Sequence, residues 1–181
     1  MAAMTGEKPQ DITQASLLML EEASYLRSLL TQLVKTYQPR ELDVHADEDS
    51  AIARAAYAPL DCAIIDWRPE DGFGPRLLQF IRRDTACQSP EMGVVCMASV
   101  ASRQSVELAR DAGANAYLTK PFSAAELRRK IEAAIFAPRN FVVAPGFVGP
   151  DRRHRKASFD GSDRHGMGPL TQNEIDTMMA E

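Results

Sequence analysis

The segment DCAIIDWRPEDGFG, residues 61–74, decides the fold. Its apolar run from Cys62 to Ile65 is typical of a strand that is buried on both faces. The run leads directly into the carboxylate of Asp66, and a proline and two glycines follow, which end the strand. A buried strand that finishes on an acid places that acid at the carboxyl edge of a sheet.

Apolar runs and amphipathic segments alternate along the chain around this strand. Strands are predicted at 16–20, 41–46, 61–66, 93–98 and 115–119. Strands separated by helical patterns of about ten to fifteen residues indicate a parallel sheet with helices on both sides. The sequence therefore predicts an α/β fold, a doubly wound five-stranded parallel sheet.

The composition bounds the class of protein. At 181 residues with a net charge of -4, the chain suits one domain with a small appendage and argues against broad binding to nucleic acid. It has no cationic leader before an apolar core, no run of about 18 apolar residues, and three cysteines without metal-ligand spacing. We expect a cytoplasmic protein with reduced thiols and neither a membrane nor a DNA partner.

Changes in composition divide the chain into four parts. We expect a flexible N-terminus at 1–13, a globular domain at 14–137, a linker rich in arginine, glycine and proline at 138–169, and an amphipathic helix at 170–181. The linker is expected to be largely irregular. Its apolar part, 141–148, is suited to lying back on the domain.

Charged residues fall where the predicted strands end. Glu21 and Glu22 follow the first strand, Asp66 closes the third, and Lys120 follows the fifth. Ligands of open parallel sheets bind beyond this edge. Acids gathered there repel each other unless a cation lies among them, and Mg²⁺ prefers such oxygen ligands. A simple ion pair, or acids that are merely solvated, would give the same pattern.

These residues also carry a resemblance to a known family. The pair EE at 21–22, the pair DW at 66–67, the glycine at 74 and the motif KPF at 120–122 resemble the CheY-like receiver domain of bacterial two-component response regulators. The resemblance covers about residues 14–137. It implies a flavodoxin-like sheet with the strand order 2-1-3-4-5.

The resemblance implies a role for each residue at this edge. Asp66 would accept a phosphoryl group from a histidine kinase or a phosphotransfer protein. Lys120 would pair with the phosphoryl oxygens, and its bond to Pro121 would be cis. The cofactor would be Mg²⁺. Its ligands would be Glu21 or Glu22, Asp66 and the backbone carbonyl of Arg68.

Two departures from the family pattern bear on signalling. Ala98 stands where the family has a hydroxyl residue, and glutamates stand at 21–22 where aspartates are more usual. The family has an aromatic switch residue, and Tyr117 matches it. Alanine cannot donate the hydrogen bond by which phosphate is linked to that switch. Ser99 is adjacent, but neighbours on a strand point to opposite faces. A receiver that serves as a scaffold without phosphate, and a surface tyrosine without a switching role, remain open.

The final segment, GPLTQNEIDTMMAE at 168–181, predicts a short helix. Thr171 and Glu174 have the spacing of a capping box. The apolar residues available for docking are Leu170, Ile175, Met178 and Met179. About a dozen isolated residues do not hold a helix in water, so this one needs a groove.

The same segment, at 170–176, resembles the receiver-binding N-terminal peptide of the flagellar switch protein FliM. We therefore expect it to dock on its own receiver or on another one, and the alternative is a frayed helix without a partner. In the linker, Arg152, Arg153 and Arg155 are typical of solvated chain. Arginine forks could also bind phosphate groups, for instance of a cyclic dinucleotide such as c-di-GMP.

The pattern as a whole predicts a response regulator that is not an enzyme. The 44 residues after Ala137 leave no room for a helix-turn-helix and carry no catalytic constellation. We expect signalling by protein–protein interaction in a two-component phosphorelay, in chemotaxis or motility. The alternatives are a phosphorylation-independent adapter that binds a cyclic dinucleotide through its basic linker, and a phosphate sink.

Overall fold

The buried apolar runs form a parallel sheet, and the amphipathic segments between them form helices. The computed structural model describes residues 9–144, 147–151 and 169–180. The strands are β1 Ser16–Leu20, β2 Glu41–His45, β3 Cys62–Asp66, β4 Gly93–Ala98 and β5 Ala116–Thr119. The helices are α1 Ser24–Lys35, α2 Glu48–Tyr57, α3 Pro75–Arg83, α4 Arg103–Ala112, α5 Ala124–Phe136 and α6 Gln172–Ala180.

The strand order is β2-β1-β3-β4-β5, with every neighbouring pair parallel. This order confirms the predicted fold class. The order reverses between β1 and β3, so the carboxyl ends of these two strands flank the crevice in which such folds bind ligands. The site therefore has to be sought at the residues that follow β1 and β3.

Alternate residues of the central strands build two separate cores. Leu18 and Ile65 belong to the core that includes α2, α3 and α4, whereas Leu17 and Ile64 belong to the core that includes α1 and α5. Successive side chains of a strand point to opposite faces. Strands covered on both faces therefore read as continuous apolar runs, which is why the sequence identifies them.

Part of the predicted linker is regular. Strands β6 Phe141–Ala144 and β7 Phe147–Pro150 pair antiparallel, and β7 packs on α3 and α4. A Cβ on Gly149 would lie 2.8 Å from Gly113 Cα. Glycine usually indicates irregular chain, but at this position its lack of a side chain permits close packing of β7. The expectation of largely irregular chain is wrong for this hairpin, although its apolar residues do lie back on the domain.

The predicted flexible N-terminus also ends earlier than expected. Asp11 caps a short 3-10 turn at Ile12–Gln14. The side chain of Ile12 is buried in the core that includes α1 and α5. Residues 11–13 are therefore part of the fold, because one apolar side chain anchors them. Among the helices that the structure describes, none has the length and apolarity needed to cross a membrane.

Candidate functional site

Three strand ends bring two acids and a lysine into contact. Asp66 is the last residue of β3, Glu21 follows β1, and Lys120 follows β5. The Lys120 ammonium donates to Asp66 Oδ1 and to Glu21 Oε2, at 2.7 Å in each case. Asp66 is 4% exposed and Glu21 is 1% exposed, so these ion pairs are shielded from water. The structure brings together these three residues as the sequence predicts, and the Lys120–Pro121 bond is cis.

Arg68 forms the outer side of the same site. Its Nε donates to Asp66 Oδ2 at 3.0 Å, and its Nη2 donates to Glu22. The third nitrogen, Nη1, donates to Asp71 Oδ2 at 3.2 Å. Burial opposes the charge of Arg68, but the hydrogen bond to Glu22 and the charge of Asp66 outweigh it and raise its pKa. The sequence assigned Arg68 only a backbone role, so its guanidinium is an unpredicted member of the site.

The oxygen atoms of this site suit Mg²⁺ in type, but both carboxylate oxygens of Asp66 and the Arg68 carbonyl are paired with protein groups. Within residues 9–144, 147–151 and 169–180, no three acidic, histidine or cysteine side chains are grouped so that they could hold a metal ion. The Arg68 carbonyl accepts hydrogen bonds from the N–H groups of Asp71 and Phe73, at 3.1 and 3.0 Å. The sequence predicts that these acids need a cation to offset their repulsion. In the structure two side-chain cations, Lys120 and Arg68, already do so. Both oxygens of Asp66 are occupied by these cations, Oδ1 by Lys120 and Oδ2 by Arg68.

The loop after β3 requires the glycine at position 74. Gly74 has φ of 103°, and a Cβ there would lie 2.8 Å from the Asp66 carbonyl oxygen and 3.2 Å from the Trp67 ring. The buried Glu48 carboxylate accepts hydrogen bonds from the N–H groups of Gly74 and Leu77, at 3.1 and 3.0 Å. These contacts begin α3 and fix the backbone on which Asp66 is presented.

Comparison with protein families matches residues 17–132 to the response regulator receiver domain, which is more than half of the chain. The chain belongs to the response regulator receiver family. The receiver domain is of the CheY-like type found in two-component signalling. The match includes Glu21, Asp66 and Lys120, the three residues that meet at the sheet edge.

Several known proteins are similar to this receiver. Chemotaxis protein CheY-3 of Vibrio cholerae is 26% identical over 116 residues, which cover 64% of this chain and 88% of that protein. The phosphate regulon transcriptional regulatory protein PhoB of Escherichia coli is 25% identical over 121 residues, which cover 66% of this chain and 51% of PhoB. Among solved structures, Vibrio cholerae CheY4 superposes with a TM-score of 0.60 at 20% identity, over 67% of this chain and 98% of that one.

The aromatic residue of the receiver is turned inward. Tyr117 is fully buried, with its hydroxyl 3.0 Å from Ser105 Oγ and 3.2 Å from the Val100 carbonyl oxygen. Burial raises the pKa of Tyr117 to about 12. Ala98 is buried at the end of β4, whereas Ser99 is exposed. Tyr117 is therefore not a surface residue, and its role as a switch stays a prediction.

Ser105 joins Tyr117 to Trp67, the residue that follows β3, and was missed by sequence reasoning. The Trp67 indole Nε1 donates to the Ser105 carbonyl oxygen at 3.2 Å, and Trp67 directly follows Asp66. Buried tryptophan and tyrosine usually find polar partners. That tendency predicts that partners exist for both rings, but the sequence gives no sign that one serine of α4 serves both.

Helix α6 lies across α4 and β5 of the receiver. The four predicted apolar residues pack against the core of the receiver. Ile175 and Met179 are buried, and Leu170 and Met178 are partly buried. The Leu170 N–H donates to the Ala101 carbonyl oxygen at 3.0 Å. Glu174 accepts from the backbone N–H and hydroxyl of Thr171, at 2.7 Å each, as the capping-box spacing predicts. In this structure α6 covers its own receiver.

The side chain of Gln172 fastens α6 to the free edge of β5. Its Nε2 donates to the Tyr117 carbonyl oxygen at 2.9 Å, and its Oε1 accepts from the Thr119 N–H at 3.2 Å. An edge strand has unpaired backbone groups, and the amide occupies two of them as a neighbouring strand would. Gln172 therefore touches the residues on either side of Leu118, next to Lys120.

Charged side chains of the receiver and of the segment that follows it complete the contact with α6. Lys130 of α5 pairs with Asp176. Arg110 donates to the Met178 carbonyl oxygen at 3.3 Å, and Arg139 donates to that of Met179. Cations at the carboxyl end of a helix favour its dipole and satisfy its last carbonyls. The predicted phosphate-binding residues Arg152, Arg153 and Arg155 lie outside the described residues.

Proposed function

We propose that the chain is a response regulator that accepts a phosphoryl group on Asp66 and signals by protein–protein interaction, without a DNA-binding output. The observation that carries the proposal is the buried contact of Asp66 with Lys120, at 2.7 Å. The donor is a histidine kinase or a phosphotransfer protein. Similarity to a chemotaxis protein supports a place in chemotaxis or motility. The proposal also includes a cytoplasmic location and no enzymatic turnover.

The chemistry of the proposed step needs few residues. A carboxylate oxygen of Asp66 attacks the phosphorus of a phosphohistidine, the P–O bond forms, and the P–N bond breaks with its electron pair leaving on the imidazole. Lys120 pairs with the phosphoryl oxygens as charge develops on them. The residues that would hold Mg²⁺ are Glu21 or Glu22, Asp66 and the carbonyl of Arg68. When bound, the ion would neutralise charge on the phosphoryl group.

Helix α6 is the proposed output element. It covers the face formed by α4, β5 and α5, and it resembles the receiver-binding peptide of FliM. The linker keeps the helix at high effective concentration near this face, and a helix released from it becomes free to bind another receiver. Docking thus controls whether the face is open to partners.

Release of α6 follows from the position of Lys120. Its ammonium is shared by Glu21 and Asp66, and a phosphoryl group on Asp66 draws it to a new position. The neighbouring Thr119 N–H is bonded to the Gln172 side chain, so movement of Lys120 strains the hydrogen bond that holds α6 to β5. Phosphorylation therefore shifts the population towards the released helix.

The second candidate is a phosphorylation-independent adapter. Ala98 offers no hydroxyl to a phosphoryl group, and Tyr117 is turned inward with its hydroxyl paired. A receiver whose tyrosine is already buried and hydrogen-bonded without phosphate can act as a binding scaffold for other proteins. Its ligand would be a cyclic dinucleotide bound by Arg152, Arg153 and Arg155 of the linker.

Phosphotransfer from acetyl phosphate to the full-length chain tests the first candidate. We expect the mass of the wild type to increase by one phosphoryl group, and the mass of Asp66→Asn to stay unchanged. Calorimetry with c-di-GMP, on the wild type and on a variant with alanine at the three linker arginines, tests the second. Absence of phosphorylation together with dinucleotide binding that needs these arginines would favour the adapter.

A further inference from the structure

Arg68 contacts the acidic site through its whole guanidinium, whereas its expected role lies in its backbone carbonyl. Its three nitrogens donate to three different carboxylates, those of Asp66, Glu22 and Asp71. We propose that the Arg68 guanidinium is a built-in counter-ion that competes with the divalent cation for Asp66 and Glu22, and so sets the affinity of the site for Mg²⁺. The inference rests on the proposed function only in taking Mg²⁺ as the ion.

The guanidinium is held in place from several sides. Its Nε lies 3.0 Å from Asp66 Oδ2, and the charged carbon lies 4.6 Å from the centre of the Phe73 ring. The backbone of Arg68 is bonded to that of Phe73 in both directions, at 2.9 and 3.0 Å. The stacking on Phe73 and the backbone pairing orient the planar fork towards the carboxylates, so it loses less freedom on binding them. The contact is thus a preorganised one.

The charges of the site make the competition direct. Glu21, Glu22, Asp66 and Asp71 bring four negative charges, and Lys120 and Arg68 bring two positive charges. The two oxygens of Asp66 are divided between these cations, since Oδ1 accepts from Lys120 and Oδ2 from Arg68. A divalent ion held by Asp66 and Glu22 would compete with the guanidinium for the same carboxylates, because two neighbouring cations repel each other.

The same residue could instead be an ordinary ion-pairing arginine that supports the loop after β3. A supporting role predicts that removal of the side chain loosens the loop and leaves metal affinity unchanged or weaker. Competition predicts the opposite change in affinity. The sign of the change in Mg²⁺ affinity therefore separates the two roles.

Calorimetric titration of Mg²⁺ into the full-length chain, without any phosphodonor, tests the proposal. We expect Arg68→Ala to bind Mg²⁺ at least tenfold more tightly than the wild type. Arg128→Ala, which removes an exposed pair with Glu132 on α5, is the matched control and should leave the affinity unchanged. The tighter binding should disappear in the double variant Arg68→Ala with Asp66→Asn.

Equal or weaker binding by Arg68→Ala, or no binding by any variant, would overturn the proposal. Should Arg68→Ala fail to fold, the Nε–H signal of Arg68 in the NMR spectrum of the wild type provides a second test. It should shift as Mg²⁺ saturates the site, and an unchanged signal at saturation would refute displacement. None of these readouts involves phosphate, so failure of phosphotransfer to Asp66 leaves the result interpretable.

Discussion

Replacement of Ile175 by alanine should release α6 from its receiver. The Ile175 side chain is completely buried between α6 and the core that includes α4. Removing a buried isoleucine to alanine costs about 2 to 5 kcal/mol in a protein core. Since every 1.4 kcal/mol changes an equilibrium about tenfold, even the lower value reduces the ratio of docked to released helix by about 30-fold.

Amide hydrogen exchange measures this release at two reporters. The Thr119 N–H is bonded to the Gln172 side chain, and the Leu170 N–H is bonded to Ala101, so both lose a partner when α6 leaves. Exchange at both should accelerate in Ile175→Ala. The control is Asn173→Ala, since Asn173 is exposed on the opposite side of α6. Wild-type exchange rates at both reporters in Ile175→Ala would refute the reasoning.

Two further predictions concern the receiver itself. Gly74→Ala should lower the free energy of unfolding by about 2 kcal/mol or more, because strain from φ of 103° adds to the 2.8 Å approach of its Cβ to the backbone. The control is Gly72→Ala, with φ of 73° and no atom within 4 Å, which should lower the free energy of unfolding by only about 1 to 2 kcal/mol. Thermal denaturation measures both. Burial raises the pKa values of Tyr117 and Tyr37 to about 12 from 10, so their contribution to stability is complete below pH 10 and is lost as pH rises towards 12. Urea denaturation from pH 9 to 12 should show this fall, reduced in Tyr117→Phe, and an equal fall in that variant would argue against it.

The sheet was predictable because burial on both faces leaves a direct trace in the sequence. Runs such as Cys62 to Ile65 carry no polar interruption, and the acid or turn that follows marks the strand end. The meeting of Asp66 with Lys120 then follows from parallel topology, which places carboxyl ends at one edge. The hairpin of β6 and β7 was not predicted, since its glycine signals irregular chain unless the packing partner at Gly113 is known.

The missed parts of the site are side-chain choices that the sequence leaves open. Arg68 could have pointed into solvent, and only its stacking on Phe73 and its three carboxylates show that it does not. Gln172 has no distinguishing pattern, because its partners belong to the edge of β5. The docking face of α6 was predictable from periodicity, whereas the polar contacts that orient the helix depend on tertiary structure.

The link between Asp66 and α6 is tested most directly by hydrogen–deuterium exchange of α6 in the full-length chain, with and without acetyl phosphate. Exchange of the backbone amides of Gln172–Ala180 should accelerate in the phosphorylated wild type, because the helix is released. It should stay unchanged in Asp66→Asn. Identical exchange of α6 before and after verified phosphorylation of the wild type would contradict the link.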